Sequence, residues 1–170
     1  MNNGLVHLYW GDGKGKTTAA MGLALRALGA GLRVVVVQFL KDGQSGELNI
    51  LQQLGATIYS GKPVAGFLSQ MSEREKAETK KQQTAQLMQA LEQSCDLLIL
   101  DEACAAWQLE TVERGLLQQA VLQRPDDREV VLTGREPADW MQEAADYSTR
   151  MCCCKHPYQS GIPARKGVEY

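Results

Sequence analysis

The sequence predicts an α/β fold: a mostly parallel sheet of about six strands with helices on both faces. Three observations carry that expectation. Short apolar runs alternate with longer segments of helical pattern along the chain, the order that strand–helix–strand crossovers need. Val34-Val35-Val36-Val37 is continuously apolar, as in a strand covered on both faces. The segment Gly11-Asp12-Gly13-Lys14-Gly15-Lys16-Thr17-Thr18 joins the first apolar run to the first helical one. Strand, glycine loop, Gly-Lys-Thr and helix, in that order, is the context of a phosphate-binding loop, so the sheet is expected to be of the P-loop NTPase-like (RecA-like) kind.

The elements follow in order. Leu5–Trp10 reads as the first strand and Thr17–Leu28 as a helix ended by Gly29 and Gly31. Leu32–Leu40 is the second strand, Glu47–Leu54 a short helix stopped by Gly55, and Ala56–Tyr59 the third strand. Gly61, Pro63 and Gly66 mark Ser60–Gln70 as a loop. Ser72 and Glu75 have capping-box spacing, and the polar helix that follows runs to about Gln93 with a largely solvated outer face. Asp96–Leu100 is a strand ending in Asp101-Glu102, Thr111–Leu122 is amphipathic, and Arg124–Asp127 is a turn. Glu129–Leu132 is a strand before Thr133-Gly134-Arg135, Pro137–Ala145 a helix, and Tyr147–Cys154 the last strand. No internal repeat or second domain shows, so residues 1–170 are expected to form one nucleotide-binding domain.

Composition narrows the functional classes. A net charge of −2 implies no general attraction to nucleic acid or to acidic membranes. The apolar stretch at Val34–Val37 is far too short to span a bilayer, and Met1–Gly4 lacks a basic flank and a signal-peptide core, so a cytoplasmic location is expected. The five cysteines, Cys95, Cys104 and the run Cys152-Cys153-Cys154, do not look like a disulfide framework. Adjacent cysteines in a strand would point to alternate faces and could not share one ion, so they are expected to be small buried residues.

The chemistry is expected at the carboxyl ends of the strands, where such sheets place their binding groups. Loop glycines 11, 13 and 15 would turn backbone N–H groups toward an anion, with the helix dipole behind them. Lys16 would be a point charge on the phosphates, and the Thr17 hydroxyl would ligate Mg²⁺. The usual loop pattern would place glycine at position 10, where Trp10 stands. Leu97-Leu98-Ile99-Leu100-Asp101-Glu102 resembles a Walker B strand whose tip acids meet the metal directly or through water, although Asp101 could instead cap the next segment. Gln38, Lys41 and Glu47 read by default as solvated turn residues. Arg135 could clamp phosphate or pair with Asp139. A lone histidine such as His156 is ordinarily structural or solvated, but it lies in a locally basic tail with Arg150, Lys155, Arg165 and Lys166, suited to an anionic ligand. Trp10, Trp107 and Trp140 read as core or edge packing.

Several segments together resemble the P-loop ATP:corrinoid adenosyltransferases, nearly end to end. They are Tyr9–Ala20, Val36-Val37-Gln38-Phe39-Leu40-Lys41, Gly46-Glu47, Leu100-Asp101-Glu102, Val131–Arg135, Lys155-His156-Pro157-Tyr158, Gly161-Ile162 and Gly167–Tyr170. In that family a residue other than glycine at position 10 is normal. The resemblance implies attack of a Co(I) corrinoid on C5′ of ATP, with the whole triphosphate leaving. Lys16, Thr17 and Glu102 would then be catalytic. Residues Gly11 to Thr18, Lys41, Phe67, Arg135, Lys155 and His156 would bind cofactor and substrate, and Thr17, Asp101 and Glu102 would hold Mg²⁺. It also implies a reductant such as a flavoprotein and a homodimer. Two departures stand out. In the loop Ala65–Ser69, Phe67 matches an aromatic of the corrinoid face but Ser69 stands where tryptophan is common. The first strand starts almost at once, so the cover that many relatives give a partner's corrinoid with an extra N-terminal helix is expected to be missing or supplied otherwise. Phe67 reads equally as a loop anchor in the core.

Two rival functions fit a phosphate loop on this scaffold. A small-molecule kinase would need an arginine-bearing lid over the γ-phosphate, and no Arg-rich insertion separates the strands. A nucleotide-dependent switch module would bind ATP without turnover.

Overall fold

The computed structural model describes residues 3–41, 43, 45–61 and 71–168. Among these, six strands form one sheet: β1 (Val6–Trp10), β2 (Val34–Gln38), β3 (Thr57–Ser60), β4 (Leu97–Asp101), β5 (Glu129–Gly134) and β6 (Tyr147–Arg150). Their spatial order is β3-β2-β4-β5-β1-β6 and every neighbouring pair is parallel. Parallel neighbours require crossovers, which the helices supply: α1 (Lys16–Gly29), α2 (Gly46–Gln53), α3 (Glu73–Leu91), α4 (Ala103–Gln108), α5 (Arg114–Leu122) and α6 (Asp139–Ala144).

The apolar alternation of the strands divides the core in two. Val34, Val36, Leu97, Ile99 and Val131 face α1 and α2, packing on Ala20, Met21, Ala24, Leu48 and Leu51. Val35, Val37, Leu98, Leu100, Val130 and Leu132 face the opposite layer, where α3, α4, α5 and α6 contribute Leu87, Cys104, Leu117 and Met141. The inner strands β2 and β4 are buried along their whole length, as their unbroken apolar runs predict.

The Ser72–Glu75 capping box is present: Glu75 Oε2 accepts from the Ser72 N–H at 2.7 Å, and the Ser72 hydroxyl accepts from the Glu75 N–H at 3.4 Å. Most of α3 is solvated as expected, but its buried stripe, Thr79, Gln83, Leu87 and Ala90, includes two polar residues. The Thr111 hydroxyl donates to Gln83 Oε1 at 2.9 Å and satisfies one of them.

Three expectations need correction. The helix α4 follows β4 directly and has no counterpart in the sequence reading. Its six residues carry no side-chain cap, and burial of Ala103, Cys104 and Ala106 holds it in place. The last strand ends at Arg150 rather than Cys154, because its ladder partner, β1, turns away into the glycine loop after the Trp10–Arg150 pair. The cysteine run consequently leaves the sheet. Cys95 and Cys104 are buried as expected, whereas Cys152 and Cys154 are exposed and Cys153 is half-buried. The tryptophans pack as expected: Trp107 and Trp140 meet edge to face at 5.1 Å, and Trp10 lies under the Arg150 guanidinium. No helix among the described residues is long and apolar enough to cross a membrane.

Candidate active site

The glycine loop is stitched to the strands beside it. Gly11 N–H donates to the Arg135 carbonyl at 3.0 Å and Gly13 N–H to the Met151 carbonyl at 2.8 Å, while Met151 N–H donates back to Trp10 at 2.7 Å. Gly11 and Gly15 adopt φ of 109° and 114°, which side chains rarely tolerate. At Gly13 the constraint is space: a Cβ would lie 2.8 Å from the Met151 carbonyl carbon and 2.9 Å from that of Cys152. Gly15 closes the loop as the N-cap of α1, so Lys16 and Thr17 occupy its first turn. The Lys16 ammonium folds back to donate to the Gly13 carbonyl at 2.6 Å. Burial lowers its pKa, and the Glu102 carboxylate opposes that shift.

Because β5 separates β1 from β4, Thr133 on β5 stands between the glycine loop and Asp101. Asp101 is fully buried. Its Oδ1 accepts from the Thr17 hydroxyl at 2.8 Å and the Thr133 hydroxyl at 2.7 Å. Its Oδ2 accepts from the Gln38 amide at 3.1 Å and the Lys41 ammonium at 2.8 Å. Burial alone would raise the Asp101 pKa, but Lys41 and the hydroxyl donors outweigh it, so the carboxyl is held below its ordinary value. Asp101 therefore orders the loop's threonine, and the alternative of a mere helix cap does not describe it.

Glu102 sits at the strand tip with φ 61°, a strained conformation of the kind that collects at functional sites. Its N–H donates to the Thr133 hydroxyl at 2.9 Å. Burial, followed by the neighbouring Asp101 charge, raises its pKa. Behind it, burial and the Glu102 charge push the Cys104 thiol up to about 12, so that group is inert. Cys104 packs against Gly134, where a Cβ would come within 2.7 Å of its Sγ.

The other candidate residues are less closely gathered. Arg135 is exposed at the end of β5, acts electrostatically on Lys16 and Glu102, and makes no ion pair with Asp139 among the described residues. Asp12 accepts from the Cys153 N–H at 3.3 Å, and Lys14 reaches the tail, donating to the Val168 carbonyl at 3.0 Å. Lys155 is exposed, and His156 accepts from the Tyr158 N–H at 3.2 Å as the cap of a short 3-10 turn, Pro157–Ser160. Phe67 and Ser69 lie outside the described residues.

Two residues of the site carry roles that the sequence reading missed. Gln38, read as a solvated turn residue, is 1% exposed and bonded to Asp101; Thr133 is equally buried. A polar residue ending an otherwise apolar strand beside a Walker-type acid is the signal that marks both. Magnesium prefers hard oxygen donors with open positions for phosphate and water. The Thr17 hydroxyl, the partly exposed Glu102 carboxylate and the Asp101 carboxylate behind them fit that preference. No cluster of three or more His, Cys, Asp or Glu suited to a metal exists among the described residues.

Residues 2–170 match the family model described as ATP:corrinoid adenosyltransferase BtuR/CobO/CobP. A corrinoid adenosyltransferase of Pseudomonas aeruginosa is 35% identical over 172 residues, covering 98% of this chain and 84% of the relative. One from Escherichia coli K12 is 33% identical, covering 98% and 86%. The corrinoid adenosyltransferase CobA of Salmonella typhimurium is 32% identical with the same coverage, 98% and 86%. A peptidoglycan deacetylase of Bacillus subtilis is similar at a TM-score of 0.27 and 12% identity, covering 87% of this chain and 88% of that one, too little to bear on function.

Proposed function

Given that this chain belongs to the ATP:corrinoid adenosyltransferase family and is thus a transferase acting on corrinoids, we propose that it moves the 5′-deoxyadenosyl group of ATP to the Co(I) centre of a reduced corrinoid and releases triphosphate. The observation that carries this reading is the bond between Thr17 and Asp101, which joins the glycine loop to the Walker-type strand as a triphosphate site requires.

Such a reaction asks little acid–base work of the protein. The nucleophile is the substrate's cobalt, so the residues serve to align C5′ and to stabilise the departing triphosphate. The amides of the loop and the first turn of α1 supply donors, and Lys16 and Lys14 supply charge. Bound Mg²⁺ would neutralise charge on the leaving group, held by Thr17 and Glu102 with Asp101 orienting the threonine. Arg135 would add a cation at the rim. Phe67 is proposed to face the corrinoid, with Lys155 and His156 on the anionic parts of the substrates. A cytoplasmic homodimer, one domain per chain and an external reductant such as a flavoprotein complete the proposal, for adenosylcobalamin synthesis or salvage.

The test is direct. Strongly reduced cobalamin, ATP and Mg²⁺ should give a light-sensitive adenosylated corrinoid and free triphosphate in equal amounts. Folded, ATP-binding protein that converts neither cobalamin nor its precursors, or that yields ADP with an acceptor, refutes it. Phe67→Ala should spare ATP binding and slow turnover when the corrinoid starts as Co(II) under weak reductant. Unchanged turnover would remove Phe67 from the corrinoid face.

A further inference from the structure

We propose that Lys41 is a built-in cation that keeps the divalent-metal position closed until a polyphosphate draws its ammonium away. The inference rests on reading the loop as a triphosphate site, but it is independent of adenosyl transfer.

A carboxylate offers about four acceptor positions, and all four on Asp101 are filled from within the chain. Three of the donors are fixed: Gln38 on β2 and Thr133 on β5 are buried, and Thr17 lies in the first turn of α1. Lys41 differs. It follows β2 and the left-handed residue Leu40, its side chain is 30% exposed, and its four-carbon stem is free to swing. It is the exchangeable donor.

The same ammonium also donates to the Thr17 hydroxyl at 3.0 Å and approaches Glu102 Oε1 at 3.9 Å. One nitrogen thus bonds Thr17 and the Asp101 that orients it and lies near Glu102, around the position Mg²⁺ would take, and it uses a threonine lone pair that a metal would need. Two cations cannot share that position, since their repulsion at a few ångströms would exceed what either gains. A multiply charged polyphosphate on the glycine loop offers the ammonium another partner within reach of its stem. Its departure would free Asp101 and Thr17 together. Metal and polyphosphate would then bind with positive coupling, and each should strengthen the other by the same factor.

Binding of Mn²⁺ alone to the nucleotide-free full chain tests this, with free Mn²⁺ counted by electron paramagnetic resonance. Lys41→Met and Lys41→Gln should each bind one Mn²⁺ at least about tenfold more tightly than wild type, the scale of an ordinary coupling. Lys41→Arg should keep the metal out, and Asp101→Asn in the Lys41→Met background should abolish the gain. Neutral variants that remain folded by circular dichroism but bind Mn²⁺ no better than wild type overturn the proposal. If neither neutral variant folds, wild-type protein decides: rising Mn²⁺ should speed acylation of the Lys41 amine, read by peptide mass spectrometry, and an unchanged rate overturns it. Neither readout requires turnover, so failure of the adenosyltransferase reading and failure of the Lys41 role remain separable.

Discussion

Thr133→Val removes one hydroxyl from the centre of the site while keeping its shape. That hydroxyl donates to the buried Asp101 carboxylate and accepts from the Glu102 N–H, at 2.7 and 2.9 Å. A hydrogen bond to a charged group contributes about 1.5–3 kcal/mol, and a buried donor left without a partner costs about 1–3 kcal/mol. One hydroxyl serves both contacts, so the two losses overlap and the sum is about 3 kcal/mol. For a chain of this length each kcal/mol shifts Tm by about 2–4 °C, giving a fall of roughly 6–12 °C. Ligand-free thermal unfolding followed by circular dichroism measures it. Thr133→Ser is the control: it keeps the hydroxyl and loses one methyl, worth about 0.8 kcal/mol. If the valine variant unfolds within about 0.5 kcal/mol of wild type, or the serine variant is the less stable of the two, Thr133 does not hold the acid pair in place.

Glu102→Gln should raise the Tm of the ligand-free protein at pH 7 and abolish turnover. Because the folded-state pKa of Glu102 is raised, its charged form costs stability above that pKa; the cost is relieved as pH falls through it and vanishes below the unfolded value of about 4.3. The Tm advantage of the variant should therefore shrink on acidification toward pH 4, and an advantage that grows instead would reverse the assignment. Thiol alkylation followed by mass spectrometry should label Cys152 and Cys154 rapidly and leave Cys104, buried with its pKa pushed up to about 12, unreacted until the protein unfolds. Early labelling of Cys104 would show that α4 opens in the native state.

What the sequence revealed came from short-range signals. The glycine loop, the apolar strand ending in Asp101 and the Ser72–Glu75 box each specify their own geometry within a few residues, and all lie where they were expected. What escaped depends on neighbours distant in the chain. Residues 103–108 become helical because they are pressed against β5, not because they carry a start signal. The end of β6 is set by where β1 turns away. Gln38 is buried because β3 and β4 flank it, with the Ser60 hydroxyl donating to its Oε1 at 3.4 Å; a reading of its own segment places it at a turn. The exposed cysteine run misled for the same reason: a strand stopped four residues early puts Cys154 in solvent.

The placement of β1 between β5 and β6 has a consequence for biogenesis. Val6 pairs with Val130 and His7 with Tyr147, so an apolar strand is made long before either of its partners. At about 5–20 residues per second the ribosome needs roughly 6–25 s to supply the first of them. Throughout that interval Val6 to Trp10 lacks both neighbours, a segment for which a nascent-chain chaperone would compete. The glycine loop that follows that strand is held by the carbonyls of Arg135 and Met151, so it takes its shape only once β5 and β6 have been released from the tunnel.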